Sequence, residues 1–223
     1  MKKIFPVLLL ALLSLMSFTL RADAPKISIL GDSYSTFNGW IPKGNSIWYP
    51  NKNNDVKKVE SCWWYLAVEM LGGKLEKNES WSGSTICYTG YHGNDASSFS
   101  FVERVNRLGN PDLILICGAT NDSWAGSPIG EYKWENWTRQ DLFSFRPAMA
   151  KMLYDIKARY PEARVVFMLN NQLKPAINES VHEICKHYNV LCVDLKDIDK
   201  QSGHPSVKGM KQMAEQVVAA IKK

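Results

Sequence analysis

Two short runs in this chain, Leu113-Ile114-Leu115-Ile116-Cys117 and Val165-Val166-Phe167-Met168-Leu169, are apolar at every position. A strand with one wet face, or an amphipathic helix, would interrupt such runs with polar residues, so each reads as a strand covered on both sides. Strands are predicted over residues 26–31, 74–80, 112–117, 163–169 and 191–195. Helix-length stretches separate or follow them, at 62–71, 99–108, 141–160, 175–188 and 205–222. In the last of these, Val207, Met210, Ala214, Val217 and Ile221 recur at steps of three and four and form one apolar stripe. Alternation of this kind predicts a single three-layer α/β/α sandwich around a five-stranded parallel sheet. No repeat, low-complexity linker or second domain interrupts it.

The first 22 residues belong to a different pattern. Lys2 and Lys3 precede an apolar run from Ile4 to Leu20, and small residues stand at Ala22 and Ala24. This is the order of a secretory signal peptide, and Ser14 and Ser17 interrupt the run more than a spanning helix favours. The alternative is an uncleaved anchor. Cleavage after Ala22 is preferred, because a cut after Ala24 would leave Pro25 just behind the bond. The expected division is a leader over 1–22 and a catalytic-size domain over 23–223, exported to a periplasmic or extracellular space. The whole chain carries a formal charge of +5, but without Lys2, Lys3 and Arg21 it holds 24 basic against 22 acidic residues. No basic stripe remains to bind nucleic acid, and no stable membrane insertion is expected of the mature protein. Of five cysteines, Cys117 reads as a buried apolar residue, while Cys185 and Cys192 flank a helix-to-strand turn and are the one pair worth testing for a bridge.

Two connections, from Ser33 to about Glu60 and from about Asn121 to Gln140, are too long for simple turns, and both follow predicted strands. Ligands of open α/β sheets bind beyond the carboxyl ends of the strands, where these loops gather. Trp40, Trp48, Trp124, Trp134 and Trp137 all fall in them. The first four are candidate substrate-binding rings, while Trp63, Trp64 and Trp81 suit the core.

Four short motifs stand at strand or helix ends: Gly31-Asp32-Ser33, Ser82-Gly83-Ser84, Gly118-Ala119-Thr120-Asn121-Asp122, and His204-Pro205-Ser206 with Gly209. Singly, each is an ordinary turn or cap. In this order and at these positions they resemble the SGNH (GDSL-type) hydrolases, a family of esterases and lipases, over essentially the whole mature chain. The resemblance implies a flavodoxin-like sandwich, Ser33 as nucleophile and His204 as general base. It also implies an oxyanion hole built from the Ser33 and Gly83 N–H groups and the Asn121 side chain. Those assignments make chemical sense: a serine hydroxyl needs a base during attack on an ester carbonyl, and an imidazole can return the proton to the leaving alcohol.

The third triad member departs from the family pattern, which places an aspartate three residues before the histidine. Gln201 stands there. Asp199 is the favoured substitute and Asp197 a weaker one; the other reading is a Ser–His dyad with Gln201 or a backbone carbonyl fixing the ring. His92 stays unassigned. His182 and His187 are five apart, off the spacing for shared metal ligation, so neither metal nor cofactor is expected. H-E-x-x-H, G-x-S-x-G and G-x-G-x-x-G are absent. The expected function is an exported serine esterase acting on a small-molecule or glycan ester, with O-acetyl carbohydrate favoured by the loop aromatics. The alternatives are a lipase or thioesterase for small acyl groups, or a glycan-binding protein that has lost its chemistry. Oligomeric state is left open.

Overall fold

The computed structural model describes residues 23–223; the expected leader over 1–22 lies outside the described residues. Strands β1 (Lys26–Gly31), β2 (Lys74–Ser80), β3 (Leu113–Gly118), β4 (Arg164–Leu169) and β5 (Leu191–Asp194) form one parallel sheet in the order β2-β1-β3-β4-β5. Alternate residues of each strand serve opposite layers. Ile27, Ile29, Leu115, Val166 and Met168 face a core shared with α1 (Trp63–Met70) and α6 (Val207–Ile221). Leu30, Ile114, Ile116 and Phe167 face the opposite core, shared with α2 (Phe101–Arg104), α4 (Phe145–Arg159) and α5 (Pro175–His187). The predicted α/β/α sandwich is therefore the observed one; Trp63 and Trp64 are buried in it as expected, whereas Trp81 is only partly buried, stacked on Phe99.

Two expected helices are shorter than their patterns. The 99–108 stretch is helical only over α2, capped by the Ser100 hydroxyl, before a 3-10 turn over Val105–Arg107. The 141–160 stretch becomes α4 only from Phe145, because the Asp141 carboxylate is engaged by Lys133 and Thr138 in a separate turn. Two small elements were not expected: α3 (Thr120–Ala125), and a hairpin of β6 (Lys200–Gln201) with β7 (His204–Pro205). Ser202 and Gly203 form its two-residue turn with φ of 51° and 74°, the left-handed pair that a tight hairpin needs.

Candidate active site

β1 ends at Gly31, and the chain turns at once through Asp32 and Ser33 into a 3-10 turn over Ser33–Ser35. The Asp32 side chain caps that turn by accepting from the Tyr34 N–H at 3.0 Å. This fixes the backbone that carries Ser33. Arg104, fully buried, holds the surrounding strand ends together. It donates to the carbonyls of Glu79, Gly31 (3.2 Å) and Phe99 (3.0 Å), and to the Ser84 hydroxyl (2.8 Å). Burial lowers its pKa to about 9, against the opposing pull of Glu79 and Asp32.

His204 arrives from the far end of the chain on the β6–β7 hairpin. Its Nε2 lies 3.0 Å from Ser33 Oγ, and its Nδ1 lies 3.1 Å from the Ser202 carbonyl oxygen. A carbonyl can only accept, so Nδ1 carries the proton and the Nε2 lone pair faces the serine hydroxyl. The hairpin is tied down from several directions. Tyr34 Oη donates to Gly203 O at 2.8 Å, Tyr49 Oη to Pro205 O at 2.7 Å, and Asn54 Nδ2 to Pro205 O at 3.1 Å. Trp48 stacks flat on the imidazole, with centroids 3.7 Å apart and planes 7° from parallel. Burial, reinforced by the Lys200 charge, lowers the His204 pKa, while the Ser202 carbonyl works in the other direction.

None of the three side chains considered as ring partner occupies that place. The Asp199 carboxylate instead accepts from the Ser206 hydroxyl, at the start of α6, and Asp199 N donates to Gln212. Gly209 permits the close passage behind this contact, since a Cβ there would fall 2.0 Å from the Asp199 carbonyl oxygen. Gln201 turns its amide oxygen to the Asp55 N–H at 2.8 Å. Asp197 is exposed, at φ 54°. The position beside Nδ1 belongs to a peptide group that has no side-chain signature.

Two of the expected oxyanion donors, Gly83 and Asn121, follow the carboxyl ends of β2 and β3. Gly83 has φ +82° and open space where a Cβ would be, a left-handed conformation that favours glycine. Asn121, on α3, donates through Nδ2 to Ser84 O at 2.9 Å and accepts from Tyr91 Oη at 2.7 Å, leaving its second amide hydrogen free of any partner among the described residues. Asp122, next in sequence, accepts from the Ile86 and Cys87 N–H groups at 2.9–3.1 Å and so joins α3 to the loop after Gly83. Burial raises its pKa to about 6 and that of Asp32 to about 7.

Of the four candidate substrate-binding tryptophans, two stand around His204. Trp48 is its stacking wall, and Trp124, well exposed, lies with its ring 6.2 Å from the imidazole. Trp40 packs instead against Trp64 and Tyr65, and Trp134 stacks on His187 beside α5. Loops of this length fold back over the outer layers, so attachment to the carboxyl edge does not keep a ring there. Sequence reasoning did not single out Tyr34, Tyr49, Asn54, Tyr91 or Lys200, whose parts depend on tertiary contacts alone.

A model of the GDSL-like lipase/acylhydrolase family matches residues 25–221. The chain belongs to that family. It is a carboxylic ester hydrolase by that membership. A solved structure described as a GDSL-like lipase of Bacteroides ovatus is 51% identical, with a TM-score of 0.88 over 90% of this chain and 99% of that one. A second, from Bacteroides uniformis, is 50% identical, with a TM-score of 0.88 over 89% and 96%. A family two carbohydrate esterase from Clostridium thermocellum, solved with cellohexaose, shares the fold at 19% identity and a TM-score of 0.63, over 89% of this chain and 63% of that one. No curated protein sequence matches the chain.

Proposed function

We propose that this GDSL-like hydrolase is an exported serine esterase that removes small acyl groups, O-acetyl above all, from carbohydrate. The observation that carries the reading is the Ser33 Oγ to His204 Nε2 contact of 3.0 Å, with the other ring nitrogen committed to a carbonyl. Ser33 attacks the ester carbonyl as Nε2 takes its proton. The Ser33 and Gly83 N–H groups and the free Asn121 amide hydrogen receive the oxyanion. As the tetrahedral intermediate collapses, His204 returns the proton to the leaving sugar oxygen. Water, activated by the same imidazole, then releases the acid. Ser202 O holds the ring in its tautomer through both halves, though a neutral acceptor stabilises imidazolium less than a carboxylate would.

The carbohydrate assignment draws support from the exposed Trp124 ring beside His204, a flat apolar surface suited to a sugar face. The fold shared with a cellohexaose-binding carbohydrate esterase points the same way. Export rests on the leader-like first 22 residues. A panel of acetylated oligosaccharides beside aryl esters of increasing acyl length tests the reading, with Ser33→Ala as control. Release of acetate from the oligosaccharides, falling with acyl length and abolished in Ser33→Ala, is expected. Turnover confined to long acyl chains would replace carbohydrate with lipid, and glycan binding without any turnover would overturn the enzyme reading.

A further inference from the structure

Sequence spacing gives His182 no metal-binding partner, but the fold gives it two. Cys192 and Asp194 are two residues apart on β5, so their side chains leave the same face of the strand. That face is turned to α5, because Cys192 packs with the α5 core while Val193 packs with the opposite one. His182 Nε2 lies 3.0 Å from Asp194 Oδ1. The ligand atoms of His182, Cys192 and Asp194 all fall within 4.8 Å of one another. Nitrogen, sulfur and oxygen ligands around one tetrahedral zinc ion stand roughly 3.5 Å apart, given bonds of about 2.0–2.3 Å. The three atoms therefore already surround a space of one ion's size, and small rotations of exposed side chains would close it.

We propose that His182, Cys192 and Asp194 form a three-ligand site for a divalent transition-metal ion, zinc foremost, clipping α5 to the edge strand β5 away from the ester-hydrolysing centre. The mixed nitrogen, sulfur and oxygen set suits a borderline ion and disfavours magnesium or calcium, which take oxygen alone. Loading needs no oxidant or reductant. The Cys192 S–H bond breaks, its proton goes to solvent, and the sulfur electron pair forms the metal bond. The proton that His182 Nε2 holds against Asp194 also leaves, passing through solvent to Nδ1 in a neutral ring or into solvent from an imidazolium. Nε2 then offers its lone pair, while Asp194 exchanges the imidazole for the ion. One thiolate and one carboxylate then balance the 2+ charge. Solvent takes the fourth position, reached beside the open groove lined by Trp134, Glu179, His182 and Lys186. The neighbouring Cys192 first, then burial, keeps the Cys185 thiol protonated.

The test is titration of the purified, chelator-stripped protein with Co²⁺ and then Zn²⁺. One equivalent of Co²⁺ should bind with a thiolate-to-cobalt absorption band that Zn²⁺ abolishes, and zinc should raise Tm by about 3 °C or more. Cys192→Ser should lose the band. His182→Ala and Asp194→Asn, both at exposed positions, should weaken binding about tenfold or more, with ester hydrolysis unchanged in all three. Binding without a thiolate band, or binding that survives Cys192→Ser undiminished, overturns the proposal. So does a Cys185–Cys192 disulfide in the protein as isolated, read by thiol counting and mass spectrometry.

Discussion

His204 and His182 differ in what their ring nitrogens meet. His204 is buried, stacked on Trp48, with a hydroxyl at one nitrogen and a peptide carbonyl at the other. His182 is half exposed and has a carboxylate at 3.0 Å. The histidine beside Ser33 thus lacks an anionic partner, and the histidine with an anionic partner lacks a hydroxyl. A carboxylate in water contributes little to its pair. A carbonyl in a buried site fixes a tautomer and leaves the ring neutral, which is the state a general base needs. Under the proposed mechanism, positioning and charge stabilisation, combined in an ordinary triad, are separable, and the Ser202 carbonyl supplies His204 chiefly with the first.

The largest expected effect comes from removing the proposed reacting pair. Ser33→Ala or His204→Ala should lower kcat by a factor on the order of 10³ or more, and the double variant should lose little beyond either single one, because the two act as a unit. Steady-state kinetics on an aryl acetate measure this. A His204→Ala enzyme retaining a tenth of its rate would mean that another base serves Ser33.

Asn121→Ala should cost roughly 10²–10³ in kcat, with KM nearly constant, since its free amide hydrogen is needed only once the oxyanion forms. Tyr91→Phe removes the hydroxyl that holds Asn121 Oδ1 and should cost less, in kcat again. A change in KM alone for either variant would assign them to substrate binding.

How much of this was legible in the sequence follows the range of the interactions. The strands were readable to within a residue or so, because apolar runs between two helical layers leave little freedom. The meeting of Ser33 and His204 was readable because motifs at a strand end and a helix start carry them. The 120–125 segment passed as loop because Thr-Asn-Asp-Ser is polar, yet Asp122 is buried by bonds to Ile86 and Cys87 more than thirty residues earlier. The ring partner was readable only as one of the alternatives, a backbone carbonyl, and not as the Ser202 one. Every residue has a carbonyl, and only the left-handed Ser202-Gly203 turn brings this one to Nδ1.

The buried carboxyls near Ser33 sharpen the contrast further. Burial raises Asp32 to about 7, with the Tyr34 N–H and Arg104 opposing. Its folded form therefore holds a proton that the unfolded form, titrating near 4, has already lost. The contribution to stability is full below about pH 4 and is lost as pH rises towards about 7. Asp32→Asn keeps an oxygen for Tyr34 N and should flatten that decline, by at most about 4 kcal/mol. Urea unfolding at pH 5 and pH 8 measures the slope; an unchanged slope would remove Asp32 as its source.

Lys200 tests the electrostatics of the ring directly. Its Nζ donates to Asn170 and Asn171 at 3.2 and 2.9 Å, and its charge disfavours imidazolium. Lys200→Met should raise the His204 pKa, moving the acid limb of the kcat/KM profile to higher pH with a similar plateau. A limb that stays fixed would leave burial as the whole cause of the shift.

The smallest expected effect on activity separates the carbonyl reading from a hidden triad. Asp199 is the carboxylate best placed in sequence to serve His204, but its oxygen is taken by Ser206, the N-cap of α6. Asp199→Asn leaves an acceptor for that hydroxyl and does not touch the Ser202 carbonyl. Its kcat should therefore stay within about threefold of wild type, whereas loss of a true triad carboxylate costs about 10⁴. Stability should fall modestly, by about 1 kcal/mol, as a charge-assisted hydrogen bond becomes a neutral one. If kcat instead collapses while Tm holds, Asp199 reaches the imidazole during turnover, and the separation of positioning from charge would fail at His204.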